Sequence, residues 1–221
     1  MAEETNADLI FTDGVIFNDD GTTPDVPTFS SCSELVGCGR IQREDLLRRL
    51  FVTNGIPILS VLADRTALEK ENLFDPRVWY VEDYDLWLKL ARRGAVFYGM
   101  KEKLVKYRRH PQALTSDSLE LLTAELSVVE KHARALSNGR SERHGLTSED
   151  LILIRQRLRK MRNAATQIYL ESYDEAIRSG SILTALILIS RITRVAPGKI
   201  LHPRWLLRSL FQCVRFRHKR P

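Results

Sequence analysis

The amino-acid sequence predicts an α/β domain followed by a helical C-terminal region. Short apolar runs alternate with amphipathic helical patterns in about the first half of the chain, whereas the second half shows only helical periodicity. The 221 residues, of which 43% are hydrophobic and 28% charged, are enough to bury a substantial core. We therefore expect an α/β part over residues 1–115 and a helical extension over residues 116–221.

The chain begins with β structure. Residues 7–17 alternate in a way that predicts a strand pair around Asp13 and Gly14. Residues 18–21 have the sequence Asn-Asp-Asp-Gly, which is a strong turn signal. Asp19 and Asp20 are therefore interpreted as turn residues and not as ligands of a metal ion.

A helix, a strand and a second helix are predicted next. Residues 42–52 place four apolar side chains on one helical face. Residues 56–63 form a short apolar run that is typical of a buried strand. Thr66 and Glu69 have the spacing of a capping box, which predicts a brief helix after this strand.

The best-defined helix is predicted over residues 82–93. Acidic residues open it, apolar residues recur at helical spacing within it, and two arginines followed by a glycine end it. This arrangement complements the helix dipole at both ends. Residues 95–98 and 104–107 then predict two short strands.

The C-terminal half predicts helices over residues 118–136, 148–179, 182–195 and 204–217. From Ser181 onward there are nine Lys or Arg residues and no Asp or Glu, which leaves 25 basic and 28 acidic residues before that point. The last predicted helix combines an apolar stripe with arginines, a pattern that fits core packing or contact with anionic membrane headgroups. A nucleic-acid binder is a minor alternative, because no nucleic-acid motif accompanies the charge.

Composition excludes several other classes. No apolar run approaches the roughly 20 residues that span a bilayer, and the acidic N-terminal residues lack the features of a secretory signal. The three cysteines are odd in number and lack zinc-type spacing, so we expect ordinary thiols in a reducing compartment. The expected location is the cytoplasm, with peripheral contact at the inner face of the membrane through the basic C-terminal helix.

The most informative stretch places three acids, Glu82, Asp83 and Asp85, in the first turn of the 82–93 helix. Peptide N–H groups at a helix start favour carboxylates, so we expect Asp83 and Glu82 to be ionised and rigidly held. An ionised carboxylate beside a sugar hydroxyl is a suitable general base. Trp87 lies four residues after Asp83 and shares its helical face. The alternatives left open are that the acids only stabilise the helix and that Trp87 is an ordinary packing residue.

Three motifs in this region resemble the conserved stretch of family 2 glycosyltransferases. They are Phe-Asp at residues 74–75, Glu-Asp-Tyr-Asp-Leu-Trp at residues 82–87 and Tyr-Arg-Arg-His at residues 107–110. Their order and spacing match the family, and the similarity covers roughly residues 7–116. The resemblance implies an incomplete GT-A (Rossmann-like) domain.

The resemblance also implies a role for each motif residue. Asp83 corresponds to the acid that deprotonates the acceptor hydroxyl in an inverting transfer, with Glu82 in support. Trp87 and Asp85 would contact the acceptor. Arg108 and His110 lie where the family places residues near the nucleotide diphosphate or its metal, and His110 is a candidate metal ligand. The implied partners are a nucleotide sugar, a divalent Mg or Mn ion, and a glycan or lipid-linked acceptor of polysaccharide or cell-envelope synthesis.

In the family, this stretch follows a nucleotide-binding βαβ half that ends in a D-x-D metal motif, and these 221 residues do not contain that half. We therefore expect the acceptor-side part of a glycosyltransferase. The alternative is a non-catalytic scaffold, derived from the same fold, that binds a membrane or a partner protein.

Overall fold

The computed structural model describes residues 5–22, 24–31, 33–113, 118–137 and 145–197. These residues form four β-strands and six α-helices, so the α/β class is confirmed. The chain divides into two compact units, residues 1–157 and 158–221.

The first unit contains one mixed four-stranded sheet. Its strands are β1 (Leu9–Asn18), β2 (Gly39–Ile41), β3 (Val61–Ala63) and β4 (Phe97–Arg109), in the order β2-β4-β1-β3. The two long central strands, β1 and β4, are parallel, and each short outer strand is antiparallel to its neighbour. Because the two parallel strands pair from Leu9 and Phe97 to Asn18 and Arg109, their carboxyl ends meet at one edge of the sheet.

Two predicted strand pairs are single strands in the structure. β1 continues through Asp13 and Gly14, where the pairing register shifts as in a β-bulge. Asp13 is buried, and its carboxylate accepts bonds from the backbone N–H and hydroxyl of Ser30 at 3.0 and 2.7 Å. A side chain at position 14 would collide with Phe29 and Val105, so glycine is required by packing and not by a hairpin. β4 likewise unites the two strands expected at residues 95–98 and 104–107.

The turn at residues 18–21 is confirmed. The backbone N–H of Gly21 donates to the carbonyl of Asn18 at 3.0 Å, and Gly21 has a φ of 80°, a conformation that glycine adopts without strain. Asp20 accepts bonds from the backbone N–H and hydroxyl of Thr22 at 2.9 and 2.7 Å. Its carboxylate therefore stabilises the turn.

The helices follow the sequence pattern closely. They are α1 (Arg43–Val52), α2 (Arg65–Lys70), α3 (Glu82–Arg93), α4 (Ser118–Ser137), α5 (Ser148–Arg178) and α6 (Ile182–Val195). The expected capping box of α2 is replaced by Asp64, whose carboxylate accepts the N–H of Ala67 at 2.8 Å. Glu69 pairs with Arg65 instead. The helix predicted over residues 204–217 lies outside the described residues.

The core of the first unit lies where α1 and α3 pack together. α1 buries the predicted apolar face, and α3 buries most of its length. Two aromatic side chains of α3 also bond to backbone carbonyls. The hydroxyl of Tyr84 donates to Leu50, and the indole N–H of Trp87 donates to Ile56 at 3.1 Å.

Residues 56–63 do not form the buried strand that their composition suggested. Only β3 is extended, and it pairs with β1 alone at the edge of the sheet. Ile58, Leu59 and Leu62 are exposed. An apolar run therefore does not identify a buried strand when the strand lies at an edge.

The first unit extends beyond residue 115, where we expected the domain to end. α4 is joined to α3 through the buried carboxylate of Asp85, which forms an ion pair with Lys131 and a hydrogen bond with the ring of His132. The start of α5 is joined to α1 by an ion pair of Arg48 with Asp150 at 2.7 Å. These polar links have no signature in hydrophobic periodicity, so the sequence pattern does not reveal them.

None of the helices in the described part of the chain is both long enough and apolar enough to cross a membrane.

Candidate active site

The candidate site is built around the first turn of α3. The helix starts at Glu82 and ends at Gly94, whose left-handed conformation (φ 90°) caps the last turn. Glu82 is exposed, whereas Asp83 is half-buried. One acid therefore faces solvent and the next lies at the edge of the protein interior.

The Asp83 carboxylate has only neutral hydrogen-bond partners in the described chain. Its Oδ1 atom accepts the backbone N–H of Tyr84 at 2.6 Å and the side-chain N–H of Asn54 at 3.4 Å. Burial raises its pKa to about 6. The two hydrogen bonds oppose this rise, and the negative charge of Glu82 adds to it.

This pKa changes the expected state of the acid. The helix start does not keep the pKa of Asp83 low, because desolvation outweighs the peptide N–H groups. At pH 7 a group with this pKa is still about 90% ionised. Asp83 thus combines an available carboxylate with greater basicity than an ordinary aspartate.

Asn54 belongs to the site and was missed in the sequence. Its Oδ1 atom is buried and has no hydrogen-bond partner among the described residues, although its Nδ2 atom reaches Asp83. Buried amide oxygens are usually satisfied, so a hydroxyl donor beside Asp83 would complete the pair. In the sequence, Asn54 precedes Gly55 at the end of a predicted helix and was interpreted only as a stop signal.

Asp85 does not lie where an acceptor could contact it, contrary to expectation. Its side chain is fully buried. Its carboxylate bonds to Lys131 Nζ at 2.8 Å and to His132 Nε2 at 2.7 Å, and Lys89 Nζ lies 3.4 Å away. Burial opposes ionisation, but these partners outweigh it and lower the pKa of Asp85 to about 2. Asp85 is an internal counter-charge.

The ring of His132 is suited to this arrangement in its neutral form. Burial lowers the pKa of His132, although Asp85 opposes the change. The neutral ring can donate from Nε2 to Asp85 and accept at Nδ1 from the Arg92 guanidinium, 3.2 Å away. The positive charge facing Asp85 is therefore supplied by the lysines.

Trp87 also departs from the expected acceptor contact. Its side chain is 2% exposed and its indole N–H is bonded to Ile56. A stacking platform needs an open ring face, and this ring has none. The structure therefore supports the packing interpretation that the sequence left open.

Arg108 and His110 lie at the carboxyl end of β4, beside the 18–21 turn. His110 lines a cleft of about 820 Å³ together with residues from both strand ends, namely Asn18, Asp19, Asp20, Tyr107, Arg109, Pro111 and Ala113. Arg108 does not line the cleft, and its guanidinium pairs with Asp19 at 3.2 Å. Because side chains alternate along a strand, the arginine that faces this cleft is Arg109.

The two groups of predicted residues are not brought into direct contact. Within the described part of the chain, no hydrogen bond or ion pair joins the acids of α3 to Arg108 or His110. Asp83 lines neither this cleft nor the second cleft described below.

The donor set does not fit a metal ion. Among the described residues there is no group of three or more His, Cys, Asp or Glu side chains that could hold one. His110 is therefore not part of such a group in this part of the chain, and its role as a metal ligand stays a prediction for the intact enzyme.

Comparison of the chain with protein family models and with curated proteins finds no match in either case.

Replacing Asp83 with Asn should stabilise the protein at neutral pH. The folded-state pKa of Asp83 is raised from 3.8, so its ionisation costs stability as the pH rises through the range from about 4 to 6. We expect urea unfolding at pH 7.5 to show a gain of up to about 3 kcal/mol in Asp83→Asn, shrinking toward pH 4. A loss of stability that is constant across this range would contradict the described environment of Asp83.

Replacing Asp85 with Asn should have the opposite effect, which makes it a matched control. The pKa of Asp85 is lowered, so its contribution is present above about pH 4 and is lost as the pH falls toward 2. The variant also removes the buried carboxylate that the ammonium groups of Lys89 and Lys131 face. We expect the free energy of unfolding to fall by about 2 to 4 kcal/mol at pH 7.5. An unchanged value would show that the buried ion pairs contribute nothing.

Proposed function

We propose that this chain is the acceptor-side part of an inverting glycosyltransferase of GT-A type and that Asp83 is its general base. In this reaction the Asp83 carboxylate takes the proton of an acceptor hydroxyl. The acceptor oxygen forms a bond to the anomeric carbon of a nucleotide sugar. The bond from that carbon to the diphosphate breaks, and the nucleoside diphosphate leaves with the electron pair.

The observation that carries the proposal is the half-buried Asp83 carboxylate. Among the described residues it has only neutral hydrogen-bond partners, and the amide oxygen of Asn54 beside it has none. A structural carboxylate is normally paired, as Asp85 is, because an unpaired buried charge is unfavourable. An arrangement that costs stability is common where a group must act on a ligand. A hydroxyl between Asp83 and Asn54 could donate its proton to either oxygen.

The cleft at the carboxyl ends of β1 and β4 supports the donor side of the proposal. In open sheets with parallel strands, ligands bind outside the carboxyl ends of the strands. Arg109 and the ring of His110 line the cleft and are suited to the negative charge that grows on a departing diphosphate. We assign the contact with the diphosphate to Arg109 in place of Arg108, because the guanidinium of Arg108 is already paired with Asp19.

The acceptor class follows from the same proposal. A single general base with hydrogen-bonding neighbours suits a sugar hydroxyl of a glycan or of a lipid-linked saccharide. The motifs at residues 82–87 and 107–110, which resemble family 2 glycosyltransferases, point to the same class. Polysaccharide assembly at the cell envelope is the setting in which such acceptors occur.

The proposal is tested by transfer assays on this chain and on any longer in-frame product read from the genomic DNA upstream of Met1. Release of nucleoside diphosphate from a panel of nucleotide sugars is measured with neutral and lipid-linked saccharide acceptors. We expect Asp83→Asn to lower kcat by at least about 100-fold with little change in donor binding. Turnover retained in Asp83→Asn would refute the assignment of the base.

The pH profile supplies a second test of the same base. Because the pKa of Asp83 is about 6, kcat/KM should rise as the pH passes through that value and then level off. The charge of Glu82 contributes to the raised pKa, so Glu82→Gln should move the midpoint to lower pH while activity at pH 7.5 is kept. If Glu82→Gln does not move the midpoint, the pH dependence of kcat/KM does not report the ionisation of Asp83.

A second candidate function, docking to an anionic membrane surface, is favoured by α6 in the second unit. Four large aliphatic side chains of this helix, Ile182, Leu183, Leu186 and Ile187, are 49–73% exposed. Exposed apolar patches of this kind mark interaction surfaces. The chain from Ser181 onward carries nine basic residues and no acid, which selects a negatively charged occupant. This candidate is compatible with catalysis or with a purely non-catalytic scaffold.

Vesicle sedimentation tests the membrane candidate. The full chain should bind vesicles that contain 30% phosphatidylglycerol, bind pure phosphatidylcholine much more weakly, and lose affinity in high salt. The double variant Leu183→Gln/Leu186→Gln should reduce binding by at least about tenfold, since each buried aliphatic group contributes roughly 1.5–3 kcal/mol. Leu62→Gln/Leu104→Gln, which changes equally exposed leucines of the first unit, is the control and should bind normally. Equal binding by both double variants would exclude α6 as the contact.

A further inference from the structure

A second cleft of about 370 Å³ opens between the loop before α3 and the helix α4. The loop contributes residues 77–80, and α4 contributes small and polar residues opposite them, namely Glu120, Thr123, Ala124, Ser127, Val128 and Lys131. All of these residues belong to the first unit. The cleft has no role in the chemistry described above.

Trp79 presents an open aromatic surface at this cleft. Its side chain is 70% exposed, in contrast to the buried Trp87. Leaving an indole in water forgoes a large favourable burial energy, so an exposed ring on a lined cleft suggests a ligand that covers it. Trp79 thus offers the open ring face that Trp87 lacks.

The loop that carries Trp79 is held in a fixed and unusual conformation. The Asp75 carboxylate accepts the backbone N–H of Arg77 at 3.1 Å, and the carbonyl of Asp75 accepts the N–H of Val78 at 2.9 Å. Tyr80 has a φ of 71°, a left-handed conformation that bulky residues rarely adopt. Strain of this kind persists where surrounding structure enforces it, and it clusters at binding sites.

The charges around the cleft are balanced, which indicates a neutral ligand. Arg77 forms a two-point ion pair with Asp75 at 2.9 and 3.0 Å. Lys131 bonds to Asp75 at 3.3 Å and to Asp85 at 2.9 Å. Both cations are therefore already neutralised, and Glu120 adds a negative charge to the lining. Among the described residues that line the cleft, each cation thus already has an acidic partner, with which an anionic ligand such as a phosphate would have to compete.

The polar groups on α4 suit a ligand that is rich in hydroxyls. The Thr123 hydroxyl donates to the carbonyls of Leu119 and Glu120, both at 3.0 Å, so its oxygen remains able to accept a bond from a ligand. Ser127 is exposed one turn further along the helix and offers a second hydroxyl. A ring-shaped polyol could thus pack its apolar face on Trp79 while its hydroxyls form hydrogen bonds with Thr123 and Ser127.

We propose that this cleft binds a neutral saccharide, stacked on Trp79, and that it holds the acceptor chain at a distance from the reacting hydroxyl. The second part rests on the proposed function. Trp79 and Asp83 are four residues apart, so their Cα atoms are separated by at most about 14 Å. A short oligosaccharide with one unit on Trp79 can reach Asp83 with another.

The test is nuclear magnetic resonance of the full chain with 15N-labelled tryptophan. Maltopentaose, cellopentaose, chitotetraose and inorganic phosphate are titrated separately up to 20 mM. We expect at least one neutral oligosaccharide to shift the indole signal of Trp79 in a saturable manner, while the signal of the buried Trp87 stays in place. By isothermal titration calorimetry, which does not depend on the indole signal, Trp79→Ala should weaken binding at least tenfold. Phe74→Ala, which removes a nearby exposed aromatic outside the cleft lining, should bind within twofold of the original chain.

The outcomes separate this cleft from the catalytic proposal. Ser127→Arg, which fills the cleft from an exposed helix position, should abolish binding without changing the circular dichroism spectrum. Absence of any oligosaccharide shift, a shift caused only by phosphate, or unchanged affinity in Trp79→Ala would overturn the saccharide site. Intact binding without transfer in any assay would overturn the proposed function and leave the cleft as a saccharide site.

Discussion

The arrangement of the first unit depends on the fully buried carboxylate of Asp85. It faces Lys131 and His132 on α4 and Lys89 on its own helix, so it fixes the distance and the rotation of α3 relative to α4. Lys131 also reaches Asp75, which orders the loop before α3. A single internal charge therefore positions the helix start that holds Asp83 and the loop that presents Trp79.

Asp83 and Asp85 show how neighbouring acids on one helix acquire different properties. Asp85 lies among cations and has a lowered pKa, whereas Asp83 has only neutral donors, and its desolvation raises the pKa. Two positions along a helix correspond to a rotation of about 200°, so the side chains enter different surroundings. The stabilising acid makes the rigid frame, and the destabilised acid is left available for chemistry.

Local patterns predicted the helices well because each pattern is a direct consequence of helix geometry. Apolar periodicity predicted α1, α3 and α6. The acidic residues of the first turn and Gly94 predicted the start and the end of α3. The sequence could not show that β1 continues through Gly14, since that depends on Phe29 and Val105 packing against it. The sequence also could not show which tryptophan is exposed, because Trp79 and Trp87 differ in their tertiary surroundings and not in their local sequence pattern. Asn54 was hidden for the same reason, since its importance comes from proximity to Asp83.

The distribution of exposed and buried polar groups gives the strongest argument for a site that spans the start of α3. A chain selected only for stability would pair Asp83 with a cation and satisfy the Asn54 oxygen, as it does for Asp85. It would also bury the Trp79 ring as it buries Trp87. Trp79 lies in the loop before α3 and Asp83 in the first turn of that helix, while Asn54, which follows α1, reaches Asp83. The strained Tyr80 stands between Trp79 and Asp83 in the chain. Local conflicts of this kind persist where a ligand resolves them, and a saccharide that contacts Trp79 and places a hydroxyl beside Asp83 and Asn54 would resolve all three together.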